Sequence, residues 1–549
     1  MKRVSIALFV LFVFVYILPL GFRPLTIPDE ARYGEISREM LTSGDWVVPR
    51  LNGLKYFEKP VFGYWANAVS ILTFGENAFA LRITSALSVI ISALMIFLLV
   101  RRFSPRGPAS VLAPAILLTC PLVLAIGHIS LLDSLLSMLL TGALVCFFFA
   151  YMAENMRRKA LFLALMGVFC GLAFLTKGFL AFAVPVLAVV PFLLWEGRFK
   201  DLLRIAWIPM ITAFVIALPW SLMIHFREGD FWNYFFWTEH VARFLDPVRG
   251  QHPKPLWYFL PILVGGALPW VAQSPAAIPM VLKFEMKKPL IRFAMCWFLL
   301  PFLFFSVCSG KLIPYILPCF PPLAIIFAIG LAAYFEAGKK RAFSVAAWVL
   351  AILCGLGSLF LLFSGLSAYE AIRIYNTDEG GKWLVGSMGG FLWAFLVIWS
   401  TRMKDYRKKL VFYCTAILTF FFIANFAIPN GVMDPRTPGK LLERNLSRVT
   451  SDAILVSNDN VLRAVCWFFK RDDVKLLEAV GELTYGLKHD DNKPGKFLND
   501  DALKEMIQEN AGKRPVILVL IKDHYENYTD QLPAPIFTDN DNHFVFAVY

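Results

Sequence analysis

The sequence predicts a polytopic α-helical membrane protein of about thirteen transmembrane helices, followed by a small α/β domain. Three observations predict it. The 549-residue chain is 58% hydrophobic and only 17% charged, with a mean hydropathy of +0.61, which is more apolar surface than a water-soluble domain can hide. Apolar runs of roughly 17–25 residues, the length that crosses hydrocarbon, recur along it. Lys and Arg gather in every second connection between these runs.

The runs lie near 4–22, 83–101, 108–127, 131–152, 160–176, 179–196, 205–224, 257–281, 291–308, 312–334, 342–364, 383–400 and 410–428. The first resembles a signal peptide but lacks a small-residue cleavage site, so it is read as an uncleaved helix. The basic connections include Lys2-Arg3, Arg157-Arg158-Lys159, Lys339-Lys340-Arg341 and the 402–409 stretch. By the positive-inside rule these face the cytoplasm, which puts the amino terminus inside and the tail outside. The expected division is a membrane domain over 1–429, with outer loops at 23–82 and 225–256, and an outer domain over 430–549. The net charge of +13 then points to topology and anionic lipid, not nucleic acid.

The tail reads as alternating elements. DAILVS, VKLLE, RPVILVLIK and HFVFAVY are strands, while NVLRAVCWFFKR and DALKEMIQENAGK are helices. It has no Gly-rich phosphate loop, so a structural or docking role is expected. Of nine cysteines only Cys466 lies in the tail, and no CxxC occurs, so neither a disulfide framework nor a zinc knuckle is expected.

The first outer loop is dense in charge: TIPDEARYGEISREMLTSGDW. Residues 28–41 suit a helix, with Pro28 in the first turn and the acids Asp29 and Glu30 at the positive end of the dipole. Helical spacing places Asp29, Arg32, Tyr33 and Ile36 on one face and Glu35 beside Arg32 and Arg38. Its plainest reading is a salt-bridged helix lying flat on the bilayer; the other is chemistry held at that surface. KYFEKPVFGYWAN brings Tyr56, Glu58, Lys59 and Tyr64 into the same loop, either as an interfacial aromatic belt with snorkelling lysine or as part of a site. Loop 225–256 adds Glu239, His240 and Arg243 within one helical turn. Asp133, just inside a span after His128, is costly to bury, and is either a hydrogen-bonded partner within the bundle or functional. Lys177 at a tight turn, and Tyr315 near Lys311, are interfacial anchors or borders of a lipid pocket.

PDEARYGEISREMLTSGDW, YFEKPVFGYW, FLTKGFLAFAVPVL, FFWTEHVARF and GKLIPYIL together resemble the membrane-embedded glycosyltransferases of the GT-C class. Within it, the match is to the undecaprenyl phosphate-aminoarabinose transferases, and it runs over essentially the whole chain. The resemblance implies a GT-C fold in the bacterial inner membrane with a periplasmic active site and tail. It implies an undecaprenyl phosphate-linked 4-amino-4-deoxy-L-arabinose donor and lipid A phosphates as acceptor, with polymyxin resistance as the outcome. A mannosyltransferase of the same class is the alternative. A transporter is disfavoured, since charges cluster at the outer surface and no internal repeat is found.

On that reading Asp29 and Asp133 are catalytic candidates. Lys59 and Arg243, then Lys177 and Arg32, are the cations expected at the carrier's phosphate, with Tyr33, Tyr56 and Tyr315 beside the donor. A phosphate monoester already carries about −1.5 to −2 charges near neutral pH, so a strong general base is not obligatory. Asp29 is expected to balance charge on the sugar ring or pair with the donor's ammonium, with removal of the last acceptor proton the third role open to it, and direct attack would invert the anomeric centre. Glu58 and His240 form a candidate metal pair, with zinc the foremost divalent ion for a carboxylate and an imidazole. Membrane lipids complete the expected partners.

Overall fold

The computed structural model describes Val10 and residues 12–104, 107–242, 253–367, 369–478, 481–489 and 495–549. The chain divides into two compact units, Met1–Pro19 with Ile83–Ala427, and Leu20–Arg82 with Ile428–Tyr549. The sequence reading grouped loop 23–82 with the spans; the structure instead groups it with the tail.

The first unit is helical. Among the described residues eight helices are long and apolar enough to cross a membrane, or ten if each bent pair is one span. The bent pairs are Ala109–Leu118 with Pro121–Gly127, at 62°, and Leu256–Gly266 with Val271–Glu285, at 89°. Phe12–Gly21 and Leu180–Trp195 are apolar but shorter, and Tyr406–Ala424 opens on Arg407, Lys408 and Lys409. Thus each apolar run of the sequence carries helix, but fewer of them than about thirteen meet the length and composition of a span. Helices approach closely where side chains vanish. A Cβ on Gly167 would come within 2.5 Å of the Pro209 carbonyl, and one on Gly171 within 2.8 Å of the Ala213 carbonyl. This GxxxG pair lets Met156–Lys177 pack backbone to backbone on Trp207–Arg227, the contact that lipid-embedded helices favour.

The second unit holds a short hairpin, β1 (Arg50–Leu51) and β2 (Leu54–Lys55), and a six-stranded sheet. The sheet comprises β3 (Ile454–Ser457), β4 (Lys475–Leu477), β5 (Phe497–Leu498), β6 (Val516–Ile521), β7 (Phe537–Asn540) and β8 (Phe544–Val548), in the order β5-β4-β3-β6-β8-β7. β3 to β6 pair parallel, and β8 runs antiparallel to both β6 and β7. Helices Asp459–Phe469 and Asp500–Asn510 make the crossovers that parallel neighbours need. Asn458 and Asn499 cap them, accepting from the Val461 and Ala502 amides. VILVLI of β6 is buried on both faces, as a central strand must be. The tail elements read from the sequence are all present; β5 and β7 are additional.

The first-loop helix is Asp29–Ser43, closed by Gly44 in the left-handed conformation at φ +69°. It is not a surface helix: every residue from Glu30 to Met40 is buried. A Cβ on Gly34 would come within 2.6 Å of Leu81 and 3.2 Å of the Trp467 ring, so the tail helix Asp459–Phe469 covers it. The apolar seam there is Leu25, Ile71, Ala80, Leu81 and Trp467. Burial of so charged a helix requires internal partners, and it has them. Arg82, fully buried, donates to both Glu30 carboxylate oxygens at 2.6 and 2.8 Å and to the Leu20, Arg23 and Pro24 carbonyls. Arg38 grips Glu35 at 2.6 and 2.8 Å; Arg32, which the sequence placed beside Glu35, turns elsewhere.

Candidate functional site

In the second unit the site grows from the first two turns of the buried helix. Asp29 and Arg32, one turn apart, form an ion pair. The Asp29 side chain is 44% exposed while Arg32 is 10% exposed, so the carboxylate is open to a ligand and the guanidinium is fixed behind it. Arg32 also donates to the Tyr33 hydroxyl at 3.3 Å, and its Cζ stands 4.8 Å from the Tyr33 ring centre.

The other end of the Arg32 guanidinium binds a residue that sequence reasoning missed. Glu482 of the tail accepts from Arg32, from the Tyr56 hydroxyl at 2.9 Å and from Arg463 at 3.2 Å. Arg463 is nearly wholly buried and also meets Asp459 at 3.2 Å. Burial pushes the Glu482 carboxyl up, but Arg32 and Arg463, with the hydrogen bonds from Arg32 and Tyr56, outweigh it and hold it at about 2. Burial likewise opposes the charge on Arg32, yet Tyr56, Tyr33, Glu482 and Asp29 raise its pKa well above the usual value. Burial raises Tyr56 and Tyr64 well above 10, so both stay protonated donors. Arg32 Nε, Arg463 Nε and the Tyr64 hydroxyl are buried without a hydrogen-bond partner among the described residues. The tail, for which a structural or docking role is expected, supplies the carboxylate on which Arg32 and Tyr56 converge.

Lys59 follows the hairpin; its Nζ donates to the Glu58 carbonyl at 2.7 Å and stands 3.8 Å from the Glu58 carboxylate. Asn52 and Gly53, both at positive φ, make the tight turn between β1 and β2. That turn is held by the Glu39 carboxylate, which accepts from the Asn52 and Gly53 amides at 2.5 and 2.8 Å. Asn52 in turn donates to the Val474 carbonyl at 2.7 Å and accepts from the Val474 amide at 3.0 Å. Burial, then the neighbouring Glu35 carboxylate, push Glu39 up to about 8.

In the first unit Asp133 opens the helix Leu132–Tyr151, and Lys177 closes Met156–Lys177. Lys177 Nζ donates to Asp133 at 2.7 Å and sits 4.8 Å from the Tyr315 ring centre. Both charged side chains are about one-tenth exposed, so Lys177 is a buried ion-pair partner and no snorkelling anchor. His128 is structural: its Nε2 contacts the Val15 carbonyl at 3.0 Å and its ring stacks on Tyr16. Lys311 donates to the Lys254 carbonyl at 2.8 Å.

Arg243 and the His240 side chain lie outside the described residues. Among the described residues no three His, Cys, Asp or Glu side chains gather as a metal donor set.

The chain matches known families along its length. The family model of dolichyl-phosphate-mannose-protein mannosyltransferases matches residues 3–235, and that of the C-terminal domain of the arabinosyl transferase ArnT matches residues 433–548. The undecaprenyl phosphate-alpha-4-amino-4-deoxy-L-arabinose arabinosyl transferase of Shewanella sediminis is 41% identical over 523 residues, 94% of this chain and 94% of its own length. The enzyme of that name from Yersinia pestis is 39% identical over 492 residues, 89% and 88% of the two chains. The crystal structures of ArnT from Cupriavidus metallidurans, apo and bound to undecaprenyl phosphate, both superpose with a TM-score of 0.85. They cover 99% of this chain and 98% of their own at 24% and 23% identity, a likeness of fold. The chain is therefore a membrane-embedded glycosyltransferase that belongs to the undecaprenyl phosphate-α-4-amino-4-deoxy-L-arabinose arabinosyl transferase family.

Proposed function

We propose that this protein transfers 4-amino-4-deoxy-L-arabinose from undecaprenyl phosphate to a phosphate of lipid A. The reaction takes place at the periplasmic face of the bacterial inner membrane. The observation that carries this reading, in a chain of this family, is the Asp29–Arg32–Tyr56–Glu482 cluster. It joins an accessible carboxylate to a guanidinium that a second carboxylate holds from behind.

The bond that breaks joins the sugar's anomeric carbon to the carrier phosphate, and the bond that forms joins that carbon to a lipid A phosphate oxygen. The leaving group departs as a phosphate anion, so fixed cations help most where its charge develops. Lys59 and Arg243 take that role, and Lys177 and Arg32 support it; Tyr33, Tyr56 and Tyr315 flank the donor. Asp29 faces the positive charge that builds on the ring, or the donor's ammonium. The acceptor oxygen is already anionic, so no strong base is needed, and single displacement inverts the anomeric centre. Asp133 holds the Lys177 ammonium in place. A cationic sugar on lipid A lowers the negative charge of the outer membrane, and polymyxin then binds more weakly.

The test combines the purified full-length protein, carrier-linked aminoarabinose and lipid A, with products read by mass spectrometry. A lipid A species heavier by one aminopentose, with free undecaprenyl phosphate released, is expected. Transfer to a protein or sugar hydroxyl but not to lipid A would sink the reading in favour of the mannosyltransferase-type alternative.

A further inference from the structure

Lys339 and Lys340 lie in the turn between Ile313–Glu336 and Arg341–Leu366, and Arg341 opens the second of these helices. They stand at the mouth of a groove of about 880 Å³. Its walls are apolar: Ala272, Pro275 and Pro279 from one side, Val345 and Val349 from the other. No carboxylate lines it. All three cations are exposed, and among the described residues none of them is paired with an acid. Lys339 Nζ lies 3.5 Å from the Met280 sulfur, which draws the ammonium over the groove. The Tyr334 hydroxyl accepts from the Ala342 and Phe343 amides at 2.9 and 3.3 Å and so fixes the turn that carries the charges.

We propose that this groove is a binding site for an anionic diacyl phospholipid of the leaflet on that side, the cytoplasmic one by the positive-inside reading. The headgroup phosphate meets Lys339, Lys340 and Arg341, and an acyl chain lies along Pro275, Pro279, Val345 and Val349. Charge complementarity sets the choice of headgroup, because three cations without acids favour a net negative lipid over a zwitterionic one. The apolar walls set the choice of a lipid over a free anion, since they offer a dissolved phosphate nothing. The walls also run on into a lipid-facing surface, with Ile352, Leu353 and Leu356 all exposed along the same helix. The site is separate from the transferase chemistry and does not depend on the substrate assignment.

The full chain, purified in detergent, is titrated with phosphatidylglycerol, phosphatidylcholine, undecaprenyl phosphate or inorganic phosphate. Retained lipid is counted by native mass spectrometry and stability is read by thermal melting. Phosphatidylglycerol is expected to be retained and to raise Tm, and the triple variant K339Q/K340Q/R341Q to bind it at least ~10-fold more weakly. Ala342→Trp, which narrows the groove and keeps the charges, is also expected to lower retention. Any of four results overturns the proposal: equal retention of phosphatidylcholine, loss of undecaprenyl phosphate rather than phosphatidylglycerol in the triple variant, the same Tm rise with inorganic phosphate alone, or triple-variant binding like that of the parent.

Discussion

Glu482 and Arg32 are 450 residues apart in the chain, yet the carboxylate of one holds the guanidinium of the other. Tyr56 and Arg463 share that carboxylate. Glu482→Gln therefore is expected to lower kcat by about 10- to 100-fold, the usual scale for a misplaced charged group. Asp473→Asn, an exposed tail acid paired with Arg471, is expected to leave turnover unchanged. Steady-state assays of both variants check this, and equal activity of the two would refute it. Because Arg32 and Arg463 hold Glu482 at about 2, its pair contributes stability above the ordinary 4.5 and loses it only as pH falls from 4.5 towards 2.

Asp29→Asn keeps the size of the side chain but removes its charge. Turnover is expected to fall about 100-fold or more while the affinity for carrier-linked donor changes little. Donor binding measured alongside kcat separates the two. Near-normal turnover would remove Asp29 from the chemistry.

Arg82 and Glu30 form the buried pair that ties the ends of the first loop together. Arg82→Gln strands the Glu30 carboxylate and is expected to cost about 3–5 kcal/mol. Lys is a poor replacement, because five hydrogen bonds from a planar fork cannot be remade by an ammonium. Thermal melting of the purified variants is the measurement, with a Tm within a degree of the parent the contrary outcome.

Glu39 titrates inside the folded unit at about 8, above the ordinary 4.5, because of burial and the adjacent Glu35. The folded state holds this proton more tightly than the unfolded chain. Its contribution is therefore complete below pH 4.5 and is lost as pH rises through 4.5 to about 8. Arg38 and Lys470 from the positive side, and Asp472 from the negative, face this pair. Glu39→Gln is expected to flatten the pH dependence of Tm between pH 5 and 8; parallel curves for parent and variant would refute it.

The sequence made some of this legible and concealed the rest, for physical reasons. Span positions were readable because hydrocarbon imposes one length and one composition. The tail's strands and helices were readable from their periods, and Asp459–Phe469 from its strongly one-sided pattern. The first-loop helix was readable as a helix, but its burial was not. Charge density argues for water unless partners are known, and Arg82 and Glu482 lie far along the chain. Glu482 itself had no local signature, being one acid among several in a polar stretch. Two signals were there to be read: Asn52-Gly53 marks a hairpin turn, and Gly167 with Gly171 marks a close helix contact. Lys177 looked like an anchor because Asp133 sits one helix earlier, and sequence spacing alone does not report such pairs.

The union of the first loop with the tail has a consequence for biosynthesis. Residues 20–82 leave the ribosome early, but their sheet, their covering helix and Glu482 follow only after the last apolar run. Until then the loop has its internal ties, Arg82 to Glu30 and Arg38 to Glu35, but Arg32 has Asp29 without Glu482. A chain terminated between the last apolar run and residue 482 carries every apolar run and still lacks the carboxylate that holds Arg32. The order of synthesis thus leaves the support of the site until after the spans, and a product that ends short of Glu482 is expected to consume carrier-linked sugar more slowly than the full chain.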